Sequence, residues 1–207
     1  ISHSNISFAE CIAETIVKGC DGVSVTTCQN VRKDVDNIHW KTGMTNIVPA
    51  TSAHWPEIWQ VLAPVIREGQ TYAYATDTTE AQAKAIWIDA PLATYVALDP
   101  DGMVLGTFYL KPNQPALGAH VCNCGYVVAA KARGQGIAAQ MCIFSQAEAL
   151  RLGFKAMQYN LVVSTNQGAV TLWQRQGFEI IGTLPRAFRH QQLGLVDAHI
   201  MFKTLSD

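Results

Sequence analysis

Nowhere in the 207-residue sequence do lysine and arginine gather into a run; charged residues make up 15% of it, with a formal net charge of -1. Proteins that bind nucleic acid draw much of their affinity from neutralising phosphates, so a chain without a basic stripe is not expected to take such a partner. The acidic residues are scattered, which argues equally against a polycation partner. Apolar runs long enough to span a bilayer are missing, and the first twenty residues lack a basic start and carry Glu10 and Glu14. Neither a secretory leader nor a membrane partner is therefore expected. Six cysteines without a leader read as reduced thiols in a cytoplasmic setting. Cys122 and Cys124 form a Cys-x-Cys pair, but no second pair or well-spaced histidines complete a zinc site, so no metal is expected.

What is present is a large apolar fraction, 49%, in a chain long enough for one full core and an appendage. Residues 1–43 hold three of the six cysteines and a short helical pattern over Phe8–Val17; they read as an extension of unknown role, with residues 44–207 as the folded domain. From Met44 the pattern gives a strand "NIVPA" and a helix "SAHWPEIWQVLAPVIREG", with Ser52 as N-cap and Pro56 in the first turn. A second helix, "TTEAQAKAIWIDA", starts at Thr78 or Thr79 with Glu80 near its positive end. "ATYVALD", "PDG" and "MVLGTFYLKP" form a hairpin, and "AHVCNCGYVVA" a further strand. Gly136 to Leu152 is a long helix ended by Gly153, followed by the strand "AMQYNLVV" and a helix stopped at Gly177. Strands "EIIGTLP" and "LVDAHIMFKTL" finish the chain around a loop, "RAFRHQQLG". The class is α/β with a mixed sheet.

One stretch decides the function: "GYVVAAKARGQGIAAQM", Gly125 to Met141. Glycine is costly inside a helix, so two of them at a helix start suggest that something must approach the backbone there. A strand, a glycine turn and a helix N-terminus bring free N–H groups and the helix dipole to bear on an anion. No GxxxxGK with Ser or Thr occurs, which removes the P-loop. Gly134, Gly136 and Ala139 satisfy GxGxxA, yet the next strand has no carboxylate for a dinucleotide ribose, which weakens that reading; close helix-to-sheet packing is the bland alternative.

"RGQGIA", Arg133 to Ala138, resembles the Arg/Gln-x-x-Gly-x-Gly/Ala motif of the GNAT superfamily of N-acetyltransferases, and "STNQGAVTLWQRQGF" resembles its second signature. The resemblance extends through the element order from Met44 onward, with some likeness around "HVCN" and "STN" to a branch acting on proline-like amino acids. It implies a mostly antiparallel sheet splayed between its fourth and fifth strands and flanked by helices, with acetyl-CoA as cosubstrate. The backbone of Gly134, Gln135, Gly136, Ile137, Ala138 and Ala139, with Arg133, would cradle the pyrophosphate; Tyr126, Val127 and Val128 would pair with the pantetheine arm, and Asn166 would hold that arm from the neighbouring strand. Val128 N–H would serve the oxyanion.

Two positions depart from the family pattern. Trp173 stands where many members carry a tyrosine, and an indole cannot act as an acid near neutrality, so Tyr159, Tyr126 or water would protonate the leaving thiolate, with Trp173 in the core. No carboxylate lies on the two central strands. Asn123 is either a satisfied structural amide or, as the proline-like branch implies, the group that orients the attacking amine; His120 is a further candidate base. Without a base, an α-amine of ordinary pKa about 8 loses its proton at neutrality for about 1.4 kcal/mol, against about 4.6 for a lysine-like amine. An amino-acid-like acceptor is thus favoured, although a proline-like secondary amine is more basic. Tyr72 and Tyr74 are expected to line the acceptor pocket and Arg189 to receive a carboxylate. Acetylation of a protein N-terminus and a CoA-binding module without turnover remain open alternatives, and the oligomeric state is undetermined, a homodimer included.

Overall fold

The computed structural model describes residues 45–206; the helix expected over Phe8–Val17 and the rest of the extension lie outside them. The order is β1 (Asn46–Pro49), α1 (Trp55–Glu68), α2 (Glu80–Lys84), β2 (Ala93–Leu98), β3 (Val104–Pro112), β4 (Val121–Val128), α3 (Ile137–Arg151), β5 (Ala156–Val163), α4 (Gln167–Arg175), β6 (Glu179–His190) and β7 (Gly194–Thr204), with short 3-10 turns between them. One sheet runs β1-β2-β3-β4-β5-β7-β6. Every pairing is antiparallel except β4–β5. The mixed, mostly antiparallel sheet expected from the sequence is therefore present.

Strand alternation sorts the core into two layers. Thr107, Tyr109, Asn123 and Val127 share one face, where Trp87 donates from Nε1 to Thr107 Oγ1 at 3.0 Å and meets the Tyr109 ring edge-on at 4.9 Å. Phe108, Leu110, Cys124 and Tyr126 share the other, against α3, where Tyr126 Oη lies 2.6 Å from Ser145 Oγ. Gly125 is required by the first layer: a Cβ there would stand 2.7 Å from Tyr109 Cε1. The α1 residues Ile58, Leu62 and Ile66 repeat at helical spacing and are all but fully buried.

Local chemistry explains most boundaries and corrects two. Thr79 caps α2, accepting from Gln82 N at 3.4 Å while Gln82 Oε1 accepts from Thr79 N at 2.9 Å, and the helix then widens into a π turn over Ala85–Asp89. Ser52 is not an N-cap: it opens a 3-10 turn whose cap is Thr51, with His54 Nδ1 accepting from Thr51 N at 3.0 Å. The expected loop over 186–194 is largely strand, since β6 continues to His190 and only a tight turn separates it from β7. Pro185 is tolerated because β6 is the sheet edge, and Arg186, at φ +54°, marks a shift of register where its N–H donates to Asp197 Oδ1 at 2.8 Å.

Candidate active site

The parallel pairing of β4 with β5 covers only Val121–Ala156 and Cys122–Met157; beyond those pairs the strands diverge. At the apex the Asn123 side chain continues the ladder, donating from Nδ2 to Gln158 O at 2.9 Å and accepting from Tyr109 Oη at 3.3 Å. Asn123 is thus buried, at 8% exposure, and each end of its amide has a partner. Above the apex the outer half of β4 has one edge free of strand pairing. Ala129 N–H donates to Leu105 O at 2.8 Å, so by alternation Val127 also turns its main-chain groups to β3, while Tyr126 and Val128 turn theirs into the gap. The expectation that Val127 pairs with the pantetheine arm is corrected on this ground.

The gap opens into a cleft of about 520 Å³ lined by Tyr126, Val127, Val128, Arg133, Thr165 and Asn166, by Glu68 at the end of α1 with Gln70 and Thr71 beyond it, and by His190, Gln192 and Leu193 at the β6–β7 turn. Gly69 brings the last two segments together: at φ +60° it ends α1, and a Cβ there would collide with the Gln191 side chain. Arg133 lines the cleft, and the residues that follow it, Gly134, Gln135 and Gly136, are exposed; both glycines are left-handed, at φ +78° and +79°. Among the described residues nothing lies within 4 Å of a Cβ built on either, so they serve backbone shape and leave open space above it. Gln135 braces the loop, its Nε2 donating to Lys131 O at 3.0 Å.

Helical bonding in α3 begins with Gln140 N–H donating to Gly136 O at 3.1 Å, so the N–H groups of Ile137, Ala138 and Ala139 have no helical partner. No side chain caps this end and no acidic residue sits in its first turn. The arrangement fits a diphosphate: open space, uncancelled dipole and free donors, with Arg133 a few residues before them in the chain and lining the cleft. Asn166 caps α4, accepting from Ala169 N at 3.2 Å through Oδ1, which leaves its NH2 for the cleft it lines.

Other predicted residues fall elsewhere. Trp173 is buried, 4.9 Å from the Tyr126 ring and 5.1 Å from that of Tyr159. The Tyr126 and Tyr159 hydroxyls point into the α3 layer, 3.1 Å apart, and burial raises both phenols well above the ordinary tyrosine range. Neither is placed to protonate a thiolate in the cleft. His120 is exposed and precedes β4, on the far side of the paired segment. Tyr72 donates to Tyr126 O at 2.9 Å, clasping the loop after α1 onto the strand end, and stacks on Tyr74, ring centroids 5.3 Å apart. Tyr74 lines a separate hollow of about 490 Å³ with Asp77, Thr78 and Gln82. Arg189 is in β6, exposed, on the face opposite the buried Phe188 and His190, and does not reach the cleft. Sequence reasoning missed Glu68, Thr71, Thr165, His190 and Gln192, which only tertiary folding brings together.

The model of the acetyltransferase (GNAT) family matches residues 55–178. N-acetyltransferase aca1 of Schizosaccharomyces pombe is 36% identical over 124 residues, which span 57% of this chain and 58% of that relative. The chain thus aligns with less than two thirds of that curated relative's length. Among solved structures, a GCN5-related N-acetyltransferase from Kribbella flavida is 42% identical with a TM-score of 0.74, covering 77% of this chain and 97% of its own. A phosphinothricin acetyltransferase from Sinorhizobium meliloti, solved in complex with AcCoA, shares the fold at a TM-score of 0.70 and 19% identity, over 78% of this chain and 89% of its own. With the match spanning both the glycine turn and the Gly-Phe that follows α4, the chain belongs to the GNAT acetyltransferase family.

Proposed function

We propose that residues 44–207 are a catalytic domain that moves an acetyl group from acetyl-CoA to the amine of a small, amino-acid-like acceptor by direct attack. The observation that carries this reading is the uncapped, glycine-opened start of α3 beside the splayed end of β4. Donors from Gly134 to Ala139, with Arg133, hold the pyrophosphate; the main chain of Tyr126 and Val128 and the Asn166 amide hold the pantetheine arm. When bound, acetyl-CoA supplies an activated thioester. Val128 N–H faces the gap and meets the oxyanion that forms on attack, a donor that is worth several kcal/mol in related chemistry.

Asn123 at the apex limits how deep the acceptor sinks, and the unused hydrogen-bonding capacity of its amide orients the amine. The neutral amine nitrogen bonds to the acetyl carbon, the carbon–sulfur bond breaks, the thiolate leaves, and the nitrogen gives up its surplus proton to water. With Tyr126 and Tyr159 turned away and Trp173 packed on them, water in the open cleft is the favoured proton source. The absence of a carboxylate on β4 and β5 favours acceptors that lose a proton easily.

Incubation with acetyl-CoA, a panel of amines and a thiol reagent tests the reading. Thiol release with α-amino acids is expected, falling at least tenfold in Asn123→Ala. Cofactor binding without release across the panel would point to a binding module, release only with peptides to N-terminal acetylation, and a rate preserved within a few fold in Asn123→Ala would remove that residue from the chemistry.

A further inference from the structure

His190 closes β6 at the edge of the cleft and is 93% buried, with 7% of its surface exposed. Two main-chain donors converge on one nitrogen of its ring: Nδ1 accepts from Gln192 N at 3.1 Å and from Leu193 N at 3.2 Å. A nitrogen that accepts carries no proton, so the neutral ring bears its hydrogen on Nε2. Among the described residues Nε2 has no hydrogen-bond partner, yet it is not among the fully buried unsatisfied atoms. The residue that carries it lines the cleft. Buried polar groups left without partners are rare in native proteins, and those that face a cavity are matched by what enters it.

We infer that His190 Nε2–H is a specificity-determining donor for a carboxylate oxygen of the acceptor. The role given to Arg189 from sequence thus passes to its neighbour, because alternation turns Arg189 outward and His190 inward. Glu68 lines the same cleft and supplies only acceptor oxygens when ionised, which suits the N–H of an amine. A fixed donor and an anionic acceptor in one hollow match a free amino acid better than an amine lacking the acid. The β6–β7 turn holds the imidazole through main-chain bonds, so its direction does not depend on a neighbouring side chain.

This deepens the function proposed above and rests on it for the identity of the cleft, so the test reads binding rather than turnover. L-alanine and L-alaninamide, and L-proline and L-prolinamide, are titrated calorimetrically into the protein in the presence of coenzyme A. A preference for the acid of about tenfold or more is expected in the parent. It should shrink to within about twofold in His190→Phe, which keeps a ring against Phe188 but has no donor, while coenzyme A affinity stays within about twofold. His190→Gln, whose amide places an N–H near Nε2, should recover part of the preference and guards against a folding defect in the first variant. An unchanged preference in either folded variant lacking the imidazole donor, namely His190→Phe or His190→Leu, overturns the inference, as does a parent that binds acid and amide alike. Acid-selective binding without thiol release would sink the acetyl-transfer reading and leave this one standing.

Discussion

Replacing Gly136 by alanine separates the cost of backbone shape from the loss of a ligand. Gly136 lies at φ +79°, a region that costs an L-residue roughly 1–2 kcal/mol, and its Cβ would meet no atom of the described residues within 4 Å. The fold should therefore lose only that strain, a fall of about 2–8 °C in Tm for a domain of this size. Gly153, at the other end of α3, is the matched control: φ is +90° and its Cβ also meets nothing. Both variants should unfold at similar temperatures. They should differ in coenzyme A affinity, because a methyl group at Gly136 fills the space above the free N–H groups and displaces one or two charge-assisted hydrogen bonds. Each is worth about 1.5–3 kcal/mol, so Kd should rise by at least about tenfold in Gly136→Ala and stay within about twofold in Gly153→Ala. Gly136→Asp adds repulsion of about 3 kcal/mol for a phosphate at about 5 Å in an effective dielectric near 20, reduced by salt. Calorimetric titration at low ionic strength, paired with thermal unfolding, reads both quantities. Equal affinities in the two alanine variants, or an unaltered Kd in Gly136→Asp, would refute the argument that this helix start holds a diphosphate.

Gly125→Ala should destabilise the protein by about 1–3 kcal/mol, because the new methyl group must displace a Tyr109 ring already packed on Trp87; thermal unfolding that stays within a degree of the parent would contradict that packing. Trp173→Phe should keep acetyl transfer within a few fold, since the indole serves to pack Tyr126 and Tyr159; a loss above a hundredfold would give Trp173 a chemical role. Cys122, Cys124 and Cys142 are free and buried, and desolvation pushes the Cys122 thiol up to about 12 and raises the other two. Iodoacetamide at pH 8 should leave all three unlabelled in the folded protein by peptide mass spectrometry and modify them in denaturant. Rapid labelling of any of the three without denaturant would show that its side chain is not enclosed as described.

The parts of the site carried by backbone chemistry were readable from the letters. Gly134 and Gly136 announce left-handed positions, and a strand before and a helix after them tell what those positions are for. Thr78 or Thr79 with Glu80 announces a helix start in the same way, and Thr79 is the cap. Side-chain roles were less legible, since they depend on which face a strand turns inward. The segment after Pro185 reads as a loop from its polar residues and closing glycine, and only as an edge strand with a shifted register does it turn His190 in and Arg189 out. Asn123 was readable as an inward residue, but not as a bridge to Gln158, because the place where β4 leaves β5 is set by packing on both sheet faces. Glu68 and Thr71 carry no signal of their own; they reach the cleft because Gly69 lets α1 end against the β6–β7 turn.

The brief contact between β4 and β5 also makes the sheet two leaves on a short spine: β1 to β4 on one side, β5, β7 and β6 on the other, their strands paired at Val121–Ala156 and Cys122–Met157, with Lys155 N–H donating to His120 O just before them. Such a seam is where slow breathing of the molecule should concentrate, and amide hydrogens flanking it should exchange before those inside either leaf. A molecule lodged with one side against Val128 and the other against Asn166 would act as the missing rungs, so its grip would be felt as stiffness across the whole sheet.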